Sequence, residues 1–338
     1  MWITSEAYCH HSLFTCSHTD TMSTNGTYCL SRHEKTAAIL PPILIAELLL
    51  GLPGNAVALW IFCFRLKAWK TSTVYLVNLV VADFLLILSL PFRIDSYLRG
   101  EDWTFGEIFC KVNLFMVSAN RSASMAFLLV VVLDRYCRVL HPYHWLNRIS
   151  VRSATCVAGL TWALVAALEV HLLANPDGME IANGNRLCRS FRMKTRGSAK
   201  DTFRSGVFLA QFYGTLVTLL FCTCRIIWKL RLRKMDKEKK IRKAMRIAIT
   251  VVVIFVFCFL PGNVTGVAVF IVRMSYPGDC GTFNVAVQFF SSTVAFTYMN
   301  SVLDPVLYCF SSPGFLNTLR LPQLFAWVRK GGPIQTRS

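Results

Sequence analysis

Apolar residues in this chain are not spread at the spacing that gives a soluble helix one greasy face. They run in nearly unbroken blocks. Residues 74–92 (VYLVNLVVADFLLILSLPF) and 247–261 (IAITVVVIFVFCFLP) hold almost nothing that a water-facing surface uses. Seven such blocks fall at 38–64, 73–98, 107–140, 152–174, 204–230, 241–272 and 283–309. Each is long enough for a helix to cross ~30 Å of hydrocarbon at ~1.5 Å per residue. Lipid offers no partner to a free peptide group, so the blocks are expected to be helices rather than open strands. The predicted fold is therefore all-α, a seven-transmembrane helix bundle. A polar tail precedes it (residues 1–36), the spans occupy 37–310, and 311–338 hold a short amphipathic helix over 312–320, stopped by Pro322, and a brief tail.

Composition agrees. Hydrophobic residues make up 54% of the chain and charged residues 16%, against about a quarter charged in soluble domains. The net charge of +18 is explained by its distribution. Segments 65–71, 135–152, 225–246 and the tail after 309 carry 22 of the 36 Lys and Arg, the opposite side carries 13, and Arg121 lies within a span. The positive-inside rule then puts the N-terminus outside the cell and the C-terminus in the cytoplasm, with the run 229–246 deciding the orientation. This displaces nucleic-acid binding as the meaning of the basic charge. Residues 1–36 lack the apolar region of a signal peptide, so the first span is expected to direct insertion into the plasma membrane. Asn25-Gly-Thr is a glycosylation acceptor on the expected outer side. Cys9, Cys16, Cys29, Cys110, Cys188 and Cys280 also fall there, where disulfides persist, and none has zinc-finger spacing.

Polar groups inside spans are costly and need an account. Asp83 in the second span, Ser124 in the third, and Asn300 and Asp304 in the seventh form a set of oxygens suited to a small hard cation such as sodium, or a hydrogen-bonded network that only packs helices. Asp134-Arg135-Tyr136 ends the third span. An arginine held by its neighbouring aspartate can be released to an intracellular partner, although an arginine there can also simply anchor the membrane edge. Pro261 and Pro305 interrupt the sixth and seventh spans, where a lost hydrogen bond makes a hinge.

Arg121 is the costliest of these groups. It lies 11 residues beyond Cys110, about 16 Å down a helix at ~1.5 Å per residue, too deep to snorkel. Insertion scales charge ~2.5–3.5 kcal/mol for an arginine at that depth. Its guanidinium keeps its proton and presents a fork matched to a carboxylate. The anion it seeks is either a ligand or an internal acid such as Glu169 or Asp95. Arg93 stands higher, where it can reach the surface. The basic loop from Arg186 to Arg204 raises the local concentration of anions.

Taken in order, Asn55 within Gly-Asn-Ala-Val, Leu79-x-x-x-Asp83, Asp134-Arg135-Tyr136, Trp162, Cys258-Phe259-Leu260-Pro261 and Asp304-Pro305-x-x-Tyr308 resemble the rhodopsin-like, G-protein-coupled receptors over about residues 37–320. Within that family the chain is similar to the hydroxycarboxylic acid and oxoeicosanoid receptors. Segments 58–70, 110–124, 225–228 and 296–313 carry the likeness, with Phe259 where most relatives have Trp. The resemblance implies a ligand carboxylate on Arg121, further ligand contacts at Ser190, Phe191 and Tyr298, disulfides Cys110–Cys188 and Cys29–Cys280, and an inhibitory heterotrimeric G protein as partner. Leu90-Pro-Phe-Arg93-Ile-Asp95 and Gly266 are closer to the oxoeicosanoid branch. The missing side chain at Gly266 is expected to enlarge a cavity that Phe115, Phe270, Phe289 and Phe290 make fit for a fatty-acid chain.

The expected function is thus a receptor for an oxidised fatty acid. The alternatives are a receptor for short hydroxy acids such as lactate or nicotinate-like acids, an organic-anion transporter using the same arginine, and a receptor that binds without coupling. The last follows from two departures: Thr215 and Thr223 stand where relatives carry a proline and a tyrosine. Glu169 is also unusual among the resembling receptors. No nucleophile–base pair or phosphate loop suggests an enzyme.

Overall fold

The computed structural model describes residues 34–66, 68–141, 143, 149–174, 179–182, 185–188, 199–232, 239–276 and 279–311. The first four spans become α1 (Glu34–Trp60, continued by a π-helical turn, Ile61–Arg65), α2 (Thr71–Leu98), α3 (Glu107–Leu140) and α4 (Val151–Glu169). A single turn, α5 (His171–Ala174), follows. The fifth and sixth spans are α6 (Ala199–Leu232) and α7 (Lys239–Ser275). The seventh is divided at Met299 into α8 (Cys280–Tyr298) and α9 (Asn300–Ser311). Six of the described helical stretches are long and apolar enough to cross a membrane unaided, and α8 with α9 completes the seventh span. The expected helix over 312–320 lies outside the described residues.

Outward faces carry bare hydrophobics, with Phe64 78%, Leu164 66% and Val217 65% exposed, as lipid requires and water forbids. Inside, α3 packs against α2, α4, α6 and α7. Amides tie it to α2: Asn113 Nδ2 donates to Ser89 O at 3.0 Å and Asn120 Nδ2 to Ala82 O at 2.9 Å. Trp162 of α4 donates to Asn78 Oδ1 at 2.9 Å and lays its ring against Phe127.

Pro305 leaves the α9 turn one donor short, because it has no N–H to offer the carbonyl four residues back. That carbonyl belongs to Ser301, and it accepts instead from Asn55 Nδ2 of α1 at 2.8 Å. Gly54 makes the approach possible, since a Cβ there would lie 3.0 Å from Pro305 Cγ. Pro261, by contrast, sits inside a continuous α7. The seventh span breaks six residues before its proline, at Met299.

The sequence predicted no strand, yet the loop after α5 forms an antiparallel pair, β1 (Met179–Ala182) with β2 (Asn185–Cys188), in the register Met179 to Cys188. Cys188 is bonded to Cys110 at the start of α3, with Cα atoms 5.7 Å apart. Trp103 N donates to Arg186 O at 2.7 Å, and the buried Trp103 ring packs edge-on against Phe105. The hairpin is thereby clamped across one end of the bundle. Cys280 is also disulfide-bonded, while Cys29, the partner implied for it, and Asn25 lie outside the described residues.

We predict that Gly54→Val drives α1 and α9 apart. Overpacking costs about 1–3 kcal/mol, so the thermal midpoint of the detergent-purified protein is expected to fall by several degrees. An unchanged midpoint counts against the close α1–α9 contact.

Candidate functional site

Beneath the hairpin the helices enclose a cavity of about 270 Å³, lined by α2, α3, α4, α6, α7 and α8. Arg93, Arg121 and Tyr298 line it, as does Cys188. Ser190 and Phe191, two residues or more further on, lie outside the described residues. Most of the wall is apolar, with Leu114, Phe208, Val269 and Phe270 among its residues. A largely apolar pocket with a few convergent polar groups is the usual form of a small-molecule site.

Continuous α3 carries Arg121 to the depth its spacing predicts. Its Nη2 donates to Ser118 Oγ at 3.2 Å, one turn earlier on the same helix. Its guanidinium carbon lies 4.3 Å from the centre of the Phe208 ring of α6, a cation–π contact. Its Nε is buried without a hydrogen-bond partner. Among the described residues no carboxylate stands within ion-pair distance of it. Asp95 is engaged elsewhere, accepting from Arg99 Nε at 2.8 Å. Glu169 is held one hydroxyl away: its Oε2 accepts from Ser118 Oγ at 2.7 Å and its Oε1 from Ser122 Oγ at 2.5 Å. The arginine is therefore screened by an internal acid but not clamped by one.

Three expectations about the wall need correction. Phe289 is 64% exposed and faces outward. The room left at Gly266 is not open volume, because the Phe290 ring comes within 3.3 Å of where a Cβ would sit. The glycine makes space for Phe290. Phe115 packs against the core instead of being among the residues that line the cavity.

Deeper in the bundle lies the polar set. Asp83 and Asp304 are fully buried. Asp83 accepts from Ser301 Oγ at 2.8 Å and Tyr308 OH at 3.1 Å, and Asn300 Nδ2 donates to Asp304 Oδ2 at 2.8 Å. Ser124 Oγ, Asn300 Oδ1 and Asp304 Oδ1 are buried with no partner. Unpaired buried oxygens of this kind are the donor chemistry a hard cation takes. Above them, Phe259 packs on Phe255, which stacks on Phe212 with centroids 5.4 Å apart.

At the other end of α3 the expected pairing is displaced. Asp134 is held mainly by Arg138, one turn on, whose Nε donates to both carboxylate oxygens at 2.9 and 3.0 Å. Arg138 also donates to Thr71 Oγ1 of α2. Arg135 stands 3.9 Å from Asp134, and its Nε is buried without a partner. Four-residue spacing on a helix brings opposite charges together better than adjacency does, so the Asp134–Arg138 pair was readable from sequence. Tyr136 packs near Phe221 of α6. Lys229 of α6 donates to Val139 O, capping the free carbonyls that end α3. Phe208, Ser118 and Ser301 gave no sequence signal, because their partners lie on other helices or on a face that only packing defines.

A bundle of seven apolar spans with a hairpin-capped cavity and a polar core is the architecture of membrane receptors, and the sequence family agrees. Residues 54–308 match the family described as 7 transmembrane receptor (rhodopsin family), and the chain belongs to it. It is therefore a multi-pass membrane receptor and not an enzyme. It is 46% identical to Hydroxycarboxylic acid receptor 2 of Homo sapiens over 293 residues, 86% of this chain and 78% of that one. It is 43% identical to Oxoeicosanoid receptor 1 of Homo sapiens, over 89% of this chain and 76% of that one. The 12-(S)-hydroxy-5,8,10,14-eicosatetraenoic acid receptor of Mus musculus is 36% identical over 87% of this chain and 91% of its own length.

A double-mutant cycle on thermal stability, using alanine at 134, 135 and 138, is expected to give a coupling of about 0.5–1 kcal/mol for Asp134 with Arg138. Asp134 with Arg135 should show close to none. Equal couplings, or the reverse order, contradict the arrangement.

Proposed function

We propose that the chain is a plasma-membrane receptor, N-terminus outside, that detects a carboxylate ligand and passes the signal to an inhibitory heterotrimeric G protein. The observation that carries this is Arg121: a permanent cation inside the cavity, orphaned at Nε and lacking an ion-pair partner among the described residues. A carboxylate from outside meets the guanidinium fork, while Arg93 and the basic loop draw anions to the mouth. The apolar wall takes the rest of the molecule. A fatty-acid body suits that wall, and relatives named for oxoeicosanoid and hydroxy-eicosatetraenoic acids support an oxidised fatty acid. The similarity to a hydroxycarboxylic acid receptor keeps short hydroxy acids as a second reading.

A ligand shifts a receptor only as far as it binds one state better than the other. The cavity floor meets α7 and α8, so a ligand that pulls on Arg121 and Tyr298 biases the packing of those helices. The Phe255–Phe259 ring contact, Pro261 and the Asp83–Tyr308 hydrogen bond lie deeper in the bundle. Rearrangement of these contacts at the basic end would offer Arg135, already loosely held by Asp134, to the G protein. Asp83, Ser124, Asn300 and Asp304 would hold a sodium ion, which supplies only electrostatic cohesion and thereby stabilises the packing it sits in.

In transfected cells, suppression of cyclic AMP by carboxylates is expected to lose about a hundredfold or more in potency in Arg121→Ala at equal surface expression, as removal of a bidentate charged pair implies. Arg93→Ala is expected to lose less. Uptake of labelled acid without suppression would point to transport instead. For the cation, replacing choline chloride by sodium chloride at constant ionic strength should raise the thermal midpoint, since a ligand of the folded state stabilises it. Asp83→Asn should abolish that rise, and a rise of equal size in the variant refutes the site.

A further inference from the structure

Glu169 is a buried acid of the cavity wall that the proposed signalling does not use. It is only 7% exposed and sits at the last residue of α4. That is an unfavourable place for an anion twice over. The helix dipole puts partial negative charge at a C-terminus, and burial removes the water that would otherwise solvate a carboxylate. What surrounds it is a set of donors supplied by another helix. Ser118 and Ser122 of α3 each give a proton to one of its oxygens, and Ser118 also receives one from Arg121. Gln211 of α6 closes the group, its Oε1 3.4 Å from Ser122 Oγ.

The chemistry of this cluster is directional. An ionised carboxylate offers about four acceptor positions and no donor. The two serines take one on each oxygen, so acceptor positions remain on a carboxylate whose residue lines the cavity. Arg121 offers only donors. Side by side, and one hydroxyl apart, the cavity therefore holds a donor fork and an acceptor pair. A ligand that satisfies both carries a carboxylate for Arg121 and an O–H or N–H within a few bonds of it. A keto oxygen in the donor's place would point lone pairs at lone pairs, and an unsubstituted chain would leave the remaining Glu169 acceptor positions without a donor. Placement matters as much as chemistry, since a polar group far along a chain would face the apolar wall.

We propose that Glu169 is a specificity-determining residue that reads a hydrogen-bond donor close to the ligand's carboxyl group. This rests on the carboxylate reading of Arg121 and assigns a second recognition point beside it. Sites built to hydrogen-bond a ligand group reject analogues lacking it far more strongly than apolar pockets reject a changed methylene.

The test uses the full-length receptor in lipid nanodiscs with a purified inhibitory G protein. The readout is potency in nucleotide exchange for matched acids of one carbon skeleton: hydroxyl on the carbon next but one to the carboxyl, ketone at that carbon, hydroxyl far along the chain, and unsubstituted. The near-hydroxy acid is expected to be about tenfold or more potent than each of the others. In Glu169→Gln, which replaces one acceptor with a donor of the same shape, the preference over the ketone should collapse toward about one. Glu169→Asp, which keeps the charge, should restore part of it and serves should the glutamine variant fold poorly. A wild type that ranks the four acids equally, or an undiminished preference in both variants, overturns the proposal. If Arg121→Ala leaves every acid as potent as before, the carboxylate reading itself fails and this one falls with it. Loss of all four in Arg121→Ala with a flat wild-type ranking sinks the Glu169 assignment alone.

Discussion

The guanidinium of Arg121 is carried to mid-bundle by an unbroken helix, and it is a charge that cannot be removed by losing a proton. The bundle answers it in three ways. A serine on the same helix accepts from it, a phenylalanine ring lies under it, and a glutamate screens it through the serine hydroxyl. Each is partial, which is why Nε remains without a partner. A direct ion pair would neutralise the arginine and close the cavity to anions. Screening at one remove keeps the helix insertable while leaving the fork available, and much of the cavity's polar arrangement follows from that compromise.

The same logic repeats along the bundle axis. Where a proline removes a donor, Asn55 supplies one, and Gly54 lets its helix come close enough to do so. Where α3 ends with free carbonyls, Lys229 reaches across from α6. In lipid an unsatisfied polar group has no water to fall back on, so cross-helix side chains take over. These contacts are also where rearrangement is cheapest, because they join helices instead of stabilising each one internally.

Family membership fixes the class of protein, and the similar proteins are named for hydroxycarboxylic, oxoeicosanoid and hydroxy-eicosatetraenoic acids. The 12-hydroxy name puts its polar group far along the chain, whereas the hydroxycarboxylic and oxoeicosanoid names do not say where theirs stands. Glu169 bears on that difference, because an acceptor buried next to a carboxylate anchor rewards only a nearby donor. Thr215 and Thr223 are both buried in an α6 that runs without a break, and Tyr308 turns to Asp83. The threonines thus stand buried where relatives carry a proline and a tyrosine, and Thr223 Oγ1 has no hydrogen-bond partner.

The number of spans, their helical nature and the depth of Arg121 were all determined by the sequence. Those features depend on local composition, on rise per residue and on ordered motifs, none of which needs a neighbouring helix. What the sequence left open was decided by which faces meet. It offered Asp95 and Glu169 equally as partners of Arg121; packing gave Asp95 to Arg99 and put Ser118 between Glu169 and the arginine. The Asp134–Arg138 pair, by contrast, needed no neighbouring helix, since four-residue spacing within α3 brings the two together where adjacency pointed to Arg135. The sequence counted Phe289 and the gap at Gly266 toward the cavity, yet rotation of α8 turned Phe289 outward and brought Phe290 into the gap. An apolar span reads much the same on every side, because lipid and protein interior reward the same residues. Only the tertiary structure therefore sets the rotation of each helix, and with it the lining of the site.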